Sequence, residues 1–156
     1  MRELTNEFIR GFIEGEGCFT FHSNTLIRNG KTSKKKTPAF SIQLNERDKE
    51  LLYAIRDYLK IKNRIYNYRG GSLTIKTSNG DKVYIRGRKV MLVVRDLGSL
   101  KNTIIPFFYK KLRGYKSLQF IDWLENIGRD NEVQKSFKIL YELYKSGFYE
   151  KNFIFD

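Results

Sequence analysis

The chain has 156 residues, with 30 Lys and Arg against 17 Asp and Glu, a net charge of +13 at pH 7 and a pI near 9.8. An apolar content of 40%, including 15% aromatics, suffices for a buried core and excludes a disordered basic tail, and no apolar run is long enough for a transmembrane helix. A single cysteine (Cys18) and a single histidine (His22) exclude an intramolecular disulfide and a His/Cys metal site within one chain, so any metal must sit on oxygen ligands.

The size suits one domain over residues 1–156. The basic excess points to a polyanionic partner. A membrane surface is the competing reading, but no basic amphipathic helix with an exposed apolar face is visible, so no membrane partner is expected. The segment Met1–Glu7 lacks a signal peptide's apolar stretch, and no transit peptide is visible. That fits synthesis inside an organelle (mitochondrion or chloroplast) or a microbial cytoplasm.

In chain order, Leu4, Phe8, Ile9, Phe12 and Ile13 recur at helical spacing and predict a helix over 3–15, ended by Gly15-Glu16-Gly17. Residues 18–24 alternate, with Phe19 and Phe21 on one side and Thr20, His22 and Asn24 on the other, as in a half-buried strand. A basic loop over 28–36 follows, carrying Lys34-Lys35-Lys36. Residues 37–44 alternate again, with Phe40, Ile42 and Leu44 inward and Ala39, Ser41 and Gln43 outward. These two strands predict a hairpin with a long basic tip.

Asn45 reads as an N-cap with Asp48 at the capping-box position, opening a helix through Leu51, Leu52, Ile55 and Leu59 to about residue 60. Strands are predicted near 63–69, 72–77 and 83–94, broken by Gly70-Gly71 and Asn79-Gly80. Asp96 opens a short helix toward Ile105-Pro106. Helices are predicted over 115–128 and 131–146, with Asp130 as a cap and Gly147 as a stop. Each strand pair follows a helix and has one polar face, which suits an antiparallel sheet with helices on one side and a ligand on the other.

Two features of the first helix bear on chemistry. Gly11 and Gly15 sit four apart on one face, although glycine costs about 1 kcal/mol relative to alanine inside a helix. That spacing suits close approach of another backbone. Glu14 and Glu16 lie at the C-terminal end, where the helix dipole repels carboxylates and the last carbonyls are free. Together they could form a hard-oxygen cation site, or remain solvated acids. Two-fold pairing through the glycine face would bring two Glu16 carboxylates together. Phe8, Phe12, Phe19 and Phe21 read most simply as core, and Cys18 as packing beside this helix end.

The run Ile9-Arg10-Gly11-Phe12-Ile13-Glu14-Gly15-Glu16-Gly17 resembles the LAGLIDADG signature of homing endonucleases. The glycines match at its third and last positions and the acids at its sixth and eighth, with Leu-to-Ile and Asp-to-Glu departures. The resemblance extends to Phe40–Asp48 followed by Leu51-Leu52, to Val93–Leu97 running to Ile104–Phe107, and to Leu112–Lys116 with Phe120 and Trp123. It implies an α+β fold of order α-β-β-α-β-β-α, with a concave antiparallel DNA-binding sheet and C-terminal helices. It also implies a site-specific endonuclease, since relatives with one such motif act as homodimers on long near-palindromic DNA targets.

Carried over residue by residue, the resemblance makes Glu16 and the Gly15 carbonyl metal ligands for Mg²⁺ or Mn²⁺. Metal-activated water would attack each scissile phosphate, and Ca²⁺ would support binding without cleavage. Glu46 falls where relatives position water or metal. Either Arg113 or Lys116 stands for a basic residue near the active site. Gly11, Gly15, Phe8 and Phe12 are assigned to the dimer interface. The outward strand residues expected to meet double-stranded DNA are Thr20, His22, Asn24, Leu26 and Arg28, then Thr37, Ser41 and Gln43, then Arg64, Tyr66, Tyr68, Lys76, Arg86 and Arg88. Lys34, Lys35 and Lys36 are expected to grip phosphate, which sets affinity rather than sequence. The same fold also serves RNA-binding intron maturases and non-cutting relatives, so intron RNA is the alternative partner.

Overall fold

The computed structural model describes residues 2–151. Helix α1 spans Asn6–Glu16. It starts later than the apolar spacing suggests because Thr5 is its N-cap, with the hydroxyl accepting from the Phe8 amide at 3.1 Å. Strands β1 (Gly17–Arg28) and β2 (Lys31–Asn45) follow directly. They pair without interruption from Gly17↔Ile42 to Arg28↔Lys31. The expected basic loop over 28–36 is therefore strand, closed by a two-residue turn. Asn29 and Gly30 both have positive φ, 52° and 74°, the backbone that matches the twist of a tight hairpin.

Asn45 caps a single 3₁₀ turn, Glu46–Asp48, by accepting from the Arg47 amide. Asp48 pairs with the Arg47 side chain rather than closing a capping box. Helix α2 then runs Lys49–Tyr58. Strands β3 (Ile65–Tyr68), β4 (Gly71–Thr77), β5 (Gly80–Arg86) and β6 (Lys89–Val94) come next. The strand expected over 83–94 is thus two strands.

The four form one long hairpin with a gap in its ladder. Gly71↔Arg86 lies three residues beyond Tyr68↔Lys89 on both arms, so the register is continuous across the break. At the break the arms crowd: a Cβ on Gly70 would come 2.2 Å from the Arg86 carbonyl oxygen. Strands β1, β2, β6 and β3 make an antiparallel sheet in that order, and β4–β5 projects as a separate exposed ribbon.

Helix α3 (Leu97–Ser99), a π turn (Leu100–Ile104) and α4 (Ile105–Phe108) form one bent segment. Asp96 caps it through the Ser99 amide at 2.9 Å, as its position predicts. The π turn precedes Pro106, whose ring removes an amide and crowds the carbonyl four residues back; the Ile105 amide bonds to Leu100 instead. Helices α5 (Tyr115–Arg129), α6 (Lys138–Lys145) and α7 (Phe148–Lys151) complete the chain. Residues 131–134, expected as helix, are not: Val133 bridges in parallel to Lys36 of β2.

The helices cover the sheet face carrying Phe19, Phe40, Ile42, Val90, Leu92 and Val94. Phe19 is the hub, with ring centroids 4.9–5.8 Å from Phe40, Phe108, Phe120 and Trp123. Phe8, by contrast, is exposed, and Phe12 and Phe21 only partly covered. Ala39, expected outward, is fully buried, its methyl too short to reach past its neighbours. Among the described residues, no helix is long and apolar enough to cross a membrane.

Where α5 crosses α6, a Cβ on Gly128 would lie 2.4 Å from the Tyr141 ring. Gly128→Ala is therefore expected to destabilise the fold by about 1–3 kcal/mol, as overpacking does. A urea denaturation series would show this as a lower midpoint at unchanged slope.

Candidate nucleic-acid interface and active centre

Alternation combined with register assigns every strand residue to a face. Cys18, Thr20, His22, Asn24, Leu26 and Arg28 pair across β1–β2 with Ser41, Ala39, Thr37, Lys35, Ser33 and Lys31. Gln43 and Asn45 continue that face opposite Met91 and Lys89, and Tyr66 and Tyr68 lie beyond them. This is the sheet face opposite the helices. It contains most of the positions expected to meet DNA, Lys35 of the expected phosphate grip among them, and adds Lys89 and Met91. That Lys35, rather than Lys34 or Lys36, meets this face is legible only once the turn is placed at 29–30, because a loop has no faces.

Several expected contacts are relocated. Lys34 and Lys36 alternate to the helix side with Phe40 and Ile42. Lys36 is drawn into an ion pair, its ammonium 2.7 Å from Asp130 and 3.4 Å from Glu132. The hydrogen bond to Asp130 holds the Lys36 pKa above its ordinary value, and reciprocally holds the Asp130 carboxyl below its own. Thr37 stays on the open face but accepts from the Gln134 side-chain amide at 3.1 Å.

On the projecting ribbon, Lys76 pairs with Asp81 while Arg86 pairs with Gly71, an odd step apart, so the two fall on opposite faces. Carried through the continuous register, the face of Tyr66 and Tyr68 includes Lys76 and not Arg86. Arg88 alternates with Lys89 and turns to Glu46 instead, 3.7 Å away. Arg64 lies over the Tyr66 ring at 5.3 Å, and Lys89 over Tyr68 at 5.4 Å, so cations and aromatic faces interleave along this edge.

The active-centre candidates gather where α1 meets β1. Glu16 ends the helix with its side chain exposed, beside the exposed Gly15. Helix α5 buttresses this junction at successive turns. The Glu14 carboxylate accepts from the Arg113 and Gly114 amides, which fixes α1 to the start of α5. The Lys116 ammonium donates to the Gly17 carbonyl at 2.5 Å. Gln119 accepts from the Phe19 amide at 3.4 Å, and the Trp123 indole donates to the Thr20 carbonyl at 2.8 Å. Residues 116, 119 and 123 share one helix face, which is why a single helix can serve all three contacts.

This geometry separates Arg113 from Lys116. Arg113 meets Glu14 through its backbone, while Lys116 brings its charged side chain to the residue following Glu16. Glu46 is not part of the cluster. Gly17 pairs with Ile42, and Glu46 lies four residues further on, roughly 13 Å of strand away.

The donor set suits half of a hard-cation site: one exposed carboxylate and the carbonyls of a helix end. Among the described residues no three His, Cys, Asp or Glu side chains gather, so the carboxylate here stands without a cluster of further acids around it. The glycine face of α1 is open to supply a neighbour. A Cβ built at Gly11 or Gly15 meets nothing within 4 Å. Phe8 and Phe12 stack beside it with centroids 6.0 Å apart.

Comparison with known proteins agrees with this architecture. The sequence model of the LAGLIDADG endonuclease family matches residues 9–127. Among solved structures, the homing endonuclease I-GzeII in complex with its DNA target aligns at 24% identity and TM-score 0.59, covering 91% of this chain and 42% of that one. I-CeuI, a group I intron-encoded homing endonuclease complexed with DNA, aligns at 19% identity and TM-score 0.59, covering 96% and 61%. I-LtrWI bound to target DNA aligns at 22% and 0.60, covering 94% and 45%. The chain therefore spans between about two-fifths and three-fifths of the length of these structures, and at these identities the likeness is one of fold.

Proposed function

Since the chain belongs to the LAGLIDADG endonuclease family, we propose that it is a site-specific DNA endonuclease, working as a homodimer on a long near-palindromic duplex and cutting both strands with Mg²⁺ or Mn²⁺. The observation that carries this reading is the junction of α1 and β1. An exposed carboxylate, Glu16, stands at the end of a glycine-faced helix, where that helix opens onto the polar sheet face. The Lys116 ammonium stands beside it on the Gly17 carbonyl.

In this reading the sheet face binds the duplex. Gln43 and Asn24 suit adenine edges, and the basic residues supply phosphate attraction. Glu16 and the Gly15 carbonyl would hold the divalent cation, together with groups of the second copy and the DNA. A bound divalent cation would supply Lewis acidity, lowering the pKa of water and offsetting charge on the leaving oxygen. Lys116 offsets charge building on the reacting phosphate, with its position fixed by Gly17. Glu14 acts earlier, by setting where α5 begins.

The direct test uses duplexes spanning the DNA that flanks the coding gene. Mg²⁺ should give a double-strand cut, Ca²⁺ binding without a cut, and chelator neither cut nor metal-dependent binding. Binding of intron RNA in preference to any duplex would replace this reading with the maturase one.

The two cations give a second test. Lys116→Met is expected to slow cleavage about a hundredfold, the range for one charge-stabilising group, at nearly unchanged DNA affinity. Arg113→Ala should stay within about threefold, because its contact to Glu14 is made by the backbone. Single-turnover rates on prebound duplex would reveal the reverse order if Arg113 were the active-site cation.

A further inference from the structure

Lys36 sits where the β1–β2 hairpin leaves the body of the protein. From Phe40 to Asn45 strand β2 is flanked by β6, which reaches no further toward the hairpin tip, and burial ends soon after, beyond Ala39 and Phe40. Residues 23–34 are exposed, so the outer hairpin is a cantilever. An isolated two-stranded ribbon is at best marginally stable and free to swing about its base.

At that base the turn between α5 and α6 takes the place of β6. The Lys36 amide donates to the Glu132 carbonyl at 2.8 Å, and the Gln134 amide donates to the Lys36 carbonyl at 3.1 Å. Val133, only 2% exposed, forms the bridge itself. Three side-chain contacts reinforce it: Lys36 to Asp130, Lys36 to Glu132 and Gln134 to Thr37. The turn is in turn anchored, since Lys138 donates to the carbonyls of Ile127, Gly128 and Asp130. Lys36 points to the helix side, away from the face of Asn24 and Lys35.

We propose that Lys36 is a positioning residue: its ion pair with Asp130 and Glu132 forms a strut that sets the angle of the outer β1–β2 ribbon, and so fixes the base pairs that Asn24, Leu26 and Lys35 can reach. The proposal rests on the DNA-binding reading above. A lysine gripping phosphate would strengthen every sequence alike, whereas a strut acts on sequence choice without touching DNA.

Lys36→Met keeps the backbone bridge and the apolar stem but removes the ammonium. Duplexes would be selected from random DNA by the unsubstituted protein, then altered one base pair at a time. The pairs under the ribbon are those whose recognition is lost in Asn24→Ala or Lys35→Ala. Lys36→Met should cut discrimination at those pairs about fivefold or more, a sizeable part of what one base pair normally contributes. Discrimination elsewhere and the salt dependence of binding should not change, and Lys36→Arg should restore the profile.

The angle itself is read in the free protein by spin labels at Thr25 and Ser146 in a Cys18→Ser background. Their distance distribution should be narrow, broaden in Lys36→Met and narrow again in Lys36→Arg. A uniform loss of affinity with the salt slope reduced by about one would identify a phosphate contact and overturn the strut. Unchanged distances, or broadened distances with unchanged discrimination, would also overturn it. Should the unsubstituted protein enrich no duplex, the DNA reading fails and the specificity role with it, while the distances still report whether a strut exists.

Discussion

Glu16→Gln is expected to abolish DNA cleavage, by on the order of a thousandfold or more, equivalent to roughly 4 kcal/mol of barrier, while leaving duplex binding intact. The substitution keeps side-chain length and removes only the charge that would hold a divalent cation. Glu16 is exposed at the helix end, so folding should be indifferent to it. Binding should be equal or slightly tighter, because one carboxylate facing the phosphates is gone. Glu16→Asp keeps the carboxylate one methylene short and should retain part of the rate. Cleavage of prebound duplex by Glu16→Gln at the unsubstituted rate would end the assignment of Glu16, whatever the family.

Gly11→Leu is expected to leave the single chain no less stable and to remove most of the proposed cleavage activity. A Cβ at Gly11 meets nothing within 4 Å in the single chain, and leucine is favoured over glycine inside a helix by about 0.8 kcal/mol. The isolated chain should therefore gain helix stability. Two helices approaching through this face, however, would be held apart by the new side chain. Association measured by sedimentation should shift to the monomer, and double-strand cleavage should fall about a hundredfold or more, since in the proposed dimer each copy supplies half a site. A Gly11→Leu protein that still associates and cuts would place the seam elsewhere. The contrast with Gly128→Ala is physical: Gly128 faces a ring 2.4 Å from its would-be Cβ, and Gly11 faces open space.

Much of the fold is legible from one-dimensional pattern. The spacing of Phe8, Ile9, Phe12 and Ile13 marks α1, and the alternation of Phe40, Ile42 and Leu44 marks β2, because each period reflects a single buried face. Asp96 caps its helix as its position suggests, since capping is local chemistry. The misreadings arise where local pattern is silent. Residues 28–36 are polar on both sides, so nothing in them distinguishes loop from an exposed ribbon; Asn29-Gly30 is the one signal, and it is a turn signal for the ladder observed. Residues 131–134 follow a good cap, Asp130, but the Glu132 carbonyl and the Gln134 amide bond to Lys36, nearly a hundred residues away, instead of continuing a helix.

The candidate site divides the same way. Glu16, Gly15 and Gly11 are visible in the sequence because a helix of known period puts them on a known face and at a known end. Lys116 could be narrowed only to a choice with Arg113, since proximity to Gly17 depends on how α5 lies across the α1–β1 junction. Lys34, Lys35 and Lys36 are chemically alike and adjacent. Which of them meets the open face, and which is spent on Asp130, is decided by the register of a strand against its partner. The sequence by itself determined the family, most of the helices and strands that bury one face, and the acid at the helix end, all of which rest on local periodicity and ordered motifs. Only the tertiary structure decided the direction of each side chain around that acid and along the ribbon, because a shift of one residue in strand pairing exchanges the two faces of a sheet.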